Sequence, residues 1–196
     1  MSATPWTWAE IRPWRKEQRE ALLRTRVDAG AGKRKEWGAV IEPQVRQIID
    51  ERKPASVGFY WPFKGEFDPR PLARELSAAG TTMALPTVVQ PKTPLEFRRW
   101  TPGIEMEIGV YNIPFPKARD IVQPELLLVP LVGFDAEGFR LGYGGGYYDR
   151  TIASYAKRPF ALGIGFELSR LKTIFPQDHD LAMDVIVTEA GLWRRQ

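Results

Sequence analysis

The stretch ELLLVPLVGF, residues 125 to 134, constrains this chain more than any other. A strand with one wet face alternates apolar and polar residues. This one does not, so both of its faces need cover, as in a parallel sheet flanked by other layers. Similar short apolar runs occur at SVGFYWPF (56–63), TTMALPTVV (81–89), FALGIGF (160–166) and MDVIVTEAG (183–191). Helical patterns lie between them. Residues 8 to 30 read as a basic N-terminal helix, with strong helix formers from Glu17 to Asp28 and a stop at Gly30. Trp37, Val40, Ile41, Val45, Ile48 and Ile49 recur at three and four in a second helix, Lys33 to Lys53. DPRPLARELSAAG (68–80) offers Asp68 as N-cap and Gly80 as C-cap. YYDRTIASYAKR (147–158) begins a fourth helix, and PKTPLEFRRWTPG (91–103) reads as a loop or irregular strand pair. Strand, helix and strand alternate, which predicts an α/β layered fold with a largely parallel sheet. The 196 residues suit one domain, 1–196.

Composition narrows the chemistry by exclusion. No cysteine rules out disulfides, thiolate catalysis and cysteine metal sites, and a lone His179 leaves no histidine cluster. A formal charge of +4 favours anionic partners. The basic residues are spread out and often followed by acids, unlike the dense aromatic-interleaved patch of a nucleic-acid module. No signal-like or membrane-length apolar run occurs, so a cytoplasmic protein binding neither membrane nor nucleic acid is expected.

LGYGGGYYDR (141–150) follows the buried strand and runs into a helix. In open α/β sheets ligands bind beyond the carboxyl ends of the strands, and helix N-termini favour anions. Glycines at 142, 144, 145 and 146 would let main-chain N–H groups approach phosphate oxygens without a Cβ in the way. Asp149 in the first helical turn is a candidate ligand for Mg2+. Neither GxxxxGK[ST] nor GxGxxG is matched. By composition alone, anion binding and a structural turn both remain open.

The longer string FDAEGFRLGYGGGYYDR (134–150) resembles the signature of the 5-formyltetrahydrofolate cyclo-ligase family, also called 5,10-methenyltetrahydrofolate synthetase. RKEQREALLRTR, FYWPFKGEFDPRPL, MALPTV, FRRWTPG, NIPFP and HDLAMDVIVTE resemble further family blocks in order, from Arg15 to Glu189. The resemblance implies a single-domain three-layer α/β/α fold and an ATP- and Mg2+-dependent reaction. It would turn 5-formyltetrahydrofolate into 5,10-methenyltetrahydrofolate and release ADP and phosphate. No protein nucleophile is required, which suits this composition.

The same resemblance assigns roles. Arg15 and Arg19, four apart on one helical face, would meet the ATP phosphates beside Lys16. As like charges they repel by a few tenths of a kcal/mol, roughly, unless an anion lies between them. The ATP segment would be Arg140, Leu141, Gly142, Tyr143, Gly144, Gly145, Gly146, Tyr147 and Tyr148. Its stretch from Tyr143 to Tyr147 would also face the folate, and Tyr147 and Arg140 are the catalytic candidates. Many relatives carry a basic residue where Gly145 stands. Glu66 would accept the pterin's N–H donors, with Trp61, Phe63 and Trp100 lining the pocket and Asp149 and Asp180 holding Mg2+. Phe115 stands in NIPFP where relatives often have a polar residue. Reduced folate and ATP are the expected partners, with a monomer assumed. The competing readings are a folate- or nucleotide-binding relative without turnover, and another enzyme on a similar scaffold such as a sugar-phosphate isomerase.

Overall fold

A computed structural model describes residues 6–194, so the ends of the expected 1–196 domain, 1–5 and 195–196, lie outside the described residues. In chain order the elements begin with α1 (Trp8–Asp28), α2 (Gly30–Arg52), β1 (Ser56–Gly58), α3 (Arg70–Ala78), β2 (Thr82–Thr87) and β3 (Glu96–Trp100). Next come β4 (Met106–Ile108), β5 (Pro114–Pro116), β6 (Leu126–Pro130), β7 (Gly133–Phe134) and β8 (Arg140–Leu141). The chain closes with α4 (Tyr147–Ser154), β9 (Phe160–Ile164), β10 (Val185–Thr188) and β11 (Gly191–Arg194).

One seven-stranded sheet runs in the order β11-β10-β9-β6-β1-β2-β3. Its five inner strands are mutually parallel, and the two edges, β3 and β11, are antiparallel. β6 lies at the centre, and Leu126 to Val129 are all at most 1% exposed, as an unalternating strand requires. Leu126 and Leu128 pack with α2 and α3 through Ile41, Val45 and Leu72. Leu127 and Val129 face the other way, toward α4 and Ile152. That makes three layers. β1 passes between β6 and β2 at Gly58, where a Cβ would meet Leu127 Cδ2 at 2.6 Å and the Phe97 ring at 2.7 Å.

Several boundaries differ from expectation. α2 starts at Gly30 instead of Lys33, because Gly30 takes a left-handed φ of +80° and turns the chain between two helices without a loop. Pro69, not Asp68, stands at the α3 N-cap, although Asp68 still accepts the Arg70 N–H at 3.0 Å. Residues 96–100 form a regular edge strand; Glu96, Arg98 and Arg99 disguise it, while Phe97 and Trp100 are buried on its opposite faces. β11 adds a hairpin onto β10 through Gly191, at φ +134°. Among the described residues, no helix is long and apolar enough to cross a membrane.

Candidate active site

The parallel strands end on a cavity of about 490 Å3. Tyr60 and Trp61 follow β1 into it, Thr87 ends β2, and Pro130 ends β6, the place where open α/β sheets bind ligands. The glycine loop closes one side, and Lys16 and Arg19 of α1 approach from another. The β4–β5 hairpin overhangs it through Val110, Tyr111 and Phe115. Tyr111 and the neighbouring Asn112 both hold left-handed backbone, φ 60° and 58°, which L side chains rarely adopt. Phe115 faces the cavity with the Arg98 guanidinium 5.1 Å from its ring centre.

Glu66 sits in this wall. Its Oε2 accepts the Phe63 N–H at 2.8 Å, and its Oε1 accepts the Tyr143 hydroxyl at 2.7 Å. Burial raises its pKa to about 7, although Tyr143, the Arg26 charge and the Phe63 N–H oppose that rise. Tyr143 keeps a half-exposed ring and turns its hydroxyl inward, where Arg26 Nη2 donates to it at 2.9 Å. Burial first, and the Glu66 charge second, raise the Tyr143 pKa, so its hydroxyl stays a donor. Among the described residues, the hydroxyls of Tyr60, Thr87 and Tyr148, three residues of the same wall, find no hydrogen-bond partner.

The basic helix divides its labour. Arg19 Nε donates to the Gly142 carbonyl at 2.7 Å, which ties α1 to the glycine loop. Burial, then the neighbouring Arg15 charge, lowers the Arg19 pKa. Arg15 is turned away from the cavity, contrary to the picture of two arginines sharing one anion. It is 4% exposed and donates to the carbonyls of Ile174 and Phe175 at 2.9 Å each, and to Asp180 at 2.5 Å. Asp180 therefore already supplies the counter-charge that the spacing of Arg15 and Arg19 demanded. Lys16 lines the cavity and reaches Glu20 at 3.9 Å.

Arg140, Gly142, Tyr143, Gly145, Gly146, Tyr147 and Tyr148 line the cavity, whereas Leu141 is buried behind the loop. Gly144, at φ +92°, faces Arg19. A Cβ at Gly145 would meet the Tyr147 ring at 2.6 Å, so that ring fills the space a side chain there would take. The Arg150 guanidinium lies 5.4 Å from the Tyr147 ring centre and donates to the Gly145 carbonyl. A cation thus stands beside position 145, brought by the helix and not by the loop.

Asp149 is buried and engaged. Its Oδ2 accepts from Arg140 Nη2 at 2.9 Å and its Oδ1 from the Leu181 N–H at 3.2 Å. The second contact places Asp149 next to Asp180 along the 180–181 backbone. Carboxylate oxygens suit Mg2+, which ordinarily takes one or two carboxylates plus substrate phosphates, but neither Asp149 nor Asp180 lines the cavity. Each carboxylate is paired with an arginine, and among the described residues no three acidic, histidine or cysteine side chains cluster. Trp100 is a correction: it packs against Phe59 in the core, with ring centres 5.0 Å apart, and does not line the cavity. Trp61 does line it, under the Arg70 guanidinium at 4.7 Å. His179 is an exposed loop residue edge-on to Trp8.

Sequence reasoning missed Arg26. The signal was present, since Arg15, Arg19 and Arg26 fall at i, i+4 and i+11 on one helical stripe.

Comparison with known proteins matches residues 11–189 to the model of the 5-formyltetrahydrofolate cyclo-ligase family. The 5-formyltetrahydrofolate cyclo-ligase of Haemophilus influenzae is 26% identical over 182 residues, which are 88% of this chain and 97% of that protein. The Escherichia coli K12 protein of the same name is 32% identical over 148 residues, 70% of this chain and 80% of that one. The NMR structure of the Aquifex aeolicus 5,10-methenyltetrahydrofolate synthetase superposes with a TM-score of 0.79 at 28% identity, covering 93% of each chain.

Proposed function

The chain belongs to the 5-formyltetrahydrofolate cyclo-ligase family, and from that premise we propose how its cavity performs the ATP-dependent cyclisation of 5-formyltetrahydrofolate to 5,10-methenyltetrahydrofolate. The observation that carries the reading is one cavity at the strand ends. It has the Glu66 carboxylate in its wall and a glycine loop flanked by Arg19, Arg140 and Arg150 at its side. A carboxylate accepts the N–H donor edge of a pterin; a cationic glycine loop suits phosphates.

A formamide is a poor electrophile because its nitrogen donates into the carbonyl. Transfer of the γ-phosphoryl from ATP to the formyl oxygen releases ADP and makes that oxygen a leaving group. Nitrogen 10 then bonds to the formyl carbon and loses its proton. The carbon–oxygen bond breaks and phosphate departs. The chain's share is positioning and charge neutralisation, where ~1 Å of misplacement costs ~100-fold in rate. Glu66 and Trp61 would bind and orient the pterin, and Tyr147 would pack beside the reacting groups. Lys16, Arg19 and Arg140 would face the phosphates. Arg15 would act mainly by holding the 174–180 loop. Asp149 and Asp180 would hold Mg2+, which when bound neutralises phosphate charge. The chain would work as a cytoplasmic monomer, with reduced folate and ATP as its substrates.

The direct test incubates the protein with 5-formyltetrahydrofolate, ATP and Mg2+ and follows the near-ultraviolet absorbance of the methenyl product. A folded protein that gives no ATP-dependent rise sinks the reading.

A further inference from the structure

Arg26 is 2% exposed, lies beyond the resemblance-assigned residues of α1, and spends its guanidinium on three separate elements. Its Nε donates to the Lys64 carbonyl at 3.1 Å, its Nη1 to the Leu131 carbonyl at 3.0 Å, and its Nη2 to the Tyr143 hydroxyl at 2.9 Å. An arginine is donor only, so the Tyr143 oxygen accepts on that side and its proton must point elsewhere. It points to Glu66 Oε1, 2.7 Å away. The direction of this proton is therefore set by Arg26, through an unbroken chain from α1 to the glycine loop to Glu66. Each carboxylate oxygen has two acceptor positions, and Tyr143 and the Phe63 N–H take one each. One lone pair on each oxygen stays free for a two-donor edge.

We infer that Arg26 and Tyr143 are the positioning pair of the Glu66 carboxylate, holding it aimed at the donor edge of a reduced pterin; this rests on the reading of Glu66 given above. Without the pair, burial would leave Glu66 neutral over more of the physiological range, and a neutral carboxyl spends one oxygen as a donor. The other titratable groups set against it are the Tyr60 and Tyr148 phenols, both kept protonated by burial. Lys16, Arg19, Glu20, Lys64 and Arg140 line the same cavity.

The test titrates 5-formyltetrahydrofolate into the full chain without ATP, by tryptophan fluorescence from pH 6 to 9, for the parent, Glu66→Gln, Tyr143→Phe and Arg26→Lys. Tyr143→Phe should weaken binding about tenfold at pH 7.5 and move the acid limb up by about one pH unit. Arg26→Lys, which keeps the charge but not the three-way fork, should fall between Tyr143→Phe and the parent. If Tyr143→Phe binds like the parent with an unmoved acid limb while Glu66→Gln is weakened, the positioning pair is wrong and Glu66 stands. If Glu66→Gln itself binds like the parent, the reading of Glu66 fails and takes the inference with it. Should Arg26→Lys fail to fold, Tyr143→Phe decides alone.

Discussion

The Arg140–Asp149 pair can be weighed before any activity is measured. The two side chains are 6% and 11% exposed, and the link is a single charge-assisted bond of 2.9 Å. Asp149→Asn leaves Arg140 buried without a counter-charge. It also forces a choice, because the amide has one acceptor oxygen for two donors, Arg140 Nη2 and the Leu181 N–H. Breaking a buried pair from one side costs about 3–5 kcal/mol. At about 2–4 °C per kcal/mol for a chain of this length, Tm should fall by roughly 6–20 °C. Arg140→Met should cost a similar amount, because it orphans Asp149. The double variant should cost less than the sum, with a coupling of about 2–3 kcal/mol. Urea unfolding at pH 7.5 of the four proteins, without ATP or Mg2+, measures this directly. Additivity within about 0.5 kcal/mol would refute the claim that the pair is coupled. A confirmed coupling changes how a dead Asp149→Asn should be read. Lost turnover would count for Mg2+ binding only if the variant, still folded at the assay temperature, binds folate normally and no longer couples ATP affinity to Mg2+.

Other consequences follow from single contacts. Burial raises the Glu66 pKa from an ordinary 4.5 to about 7. Between those values the folded state binds more protons than the unfolded one, so stability should fall as pH rises from about 4.5 to 7, by on the order of 1–3 kcal/mol. Glu66→Gln should flatten that slope in denaturant midpoints; an unchanged slope would assign it to other groups. Gly58→Ala drives a methyl into Leu127 and Phe97 and should cost about 1–3 kcal/mol in urea unfolding, and a neutral result would mean that those two side chains repack around it without strain. Thr87→Val removes a buried hydroxyl with no partner, so stability should hold or rise, while folate KM increases if the ligand normally satisfies that oxygen. A large loss of stability would show that the hydroxyl is paired after all. Gly145→Ala must displace the Tyr147 ring, and it should lower kcat/KM by about tenfold or more with little change in Tm.

The layers of the fold were legible because burial on both faces writes itself into sequence. Leu126 to Val129 could be read as central, and they are, since a strand that never alternates has no face to offer water. The edges were harder to read. β3 needs cover only where Phe97 and Trp100 point inward, so Glu96, Arg98 and Arg99 made it look like a loop. The same polarity protects an edge strand from pairing with another chain, so the feature that hid β3 is one that edge strands are expected to have. Trp100 shows the converse problem. An aromatic near a site-like motif reads as pocket lining, but which face of a strand it occupies depends on register, and register here is set by pairing with β2.

For the site, residue types were legible while their pairings were not. Arg15 and Arg19 share a helical stripe, and the stripe alone suggests one anion for both. Three turns of helix separate Arg15 from Arg26, and over that span the stripe passes three different partners: the 174–180 loop with Asp180, the glycine loop at Gly142, and the Tyr143–Glu66 pair. Spacing fixes the face a side chain takes; only the tertiary fold fixes what stands opposite. The glycines make this division workable. With no side chains at 145 and 146, the loop leaves room for the Tyr147 ring and Arg150, each of which occupies space a Cβ would have contested, while Gly144 supplies a left-handed φ of +92° beside Arg19. Gly145 therefore does not leave the loop short of charge, because it admits an aromatic ring and lets the helix deliver a guanidinium to its carbonyl. A basic side chain built at 145 would have to displace that ring before its charge could reach a phosphate.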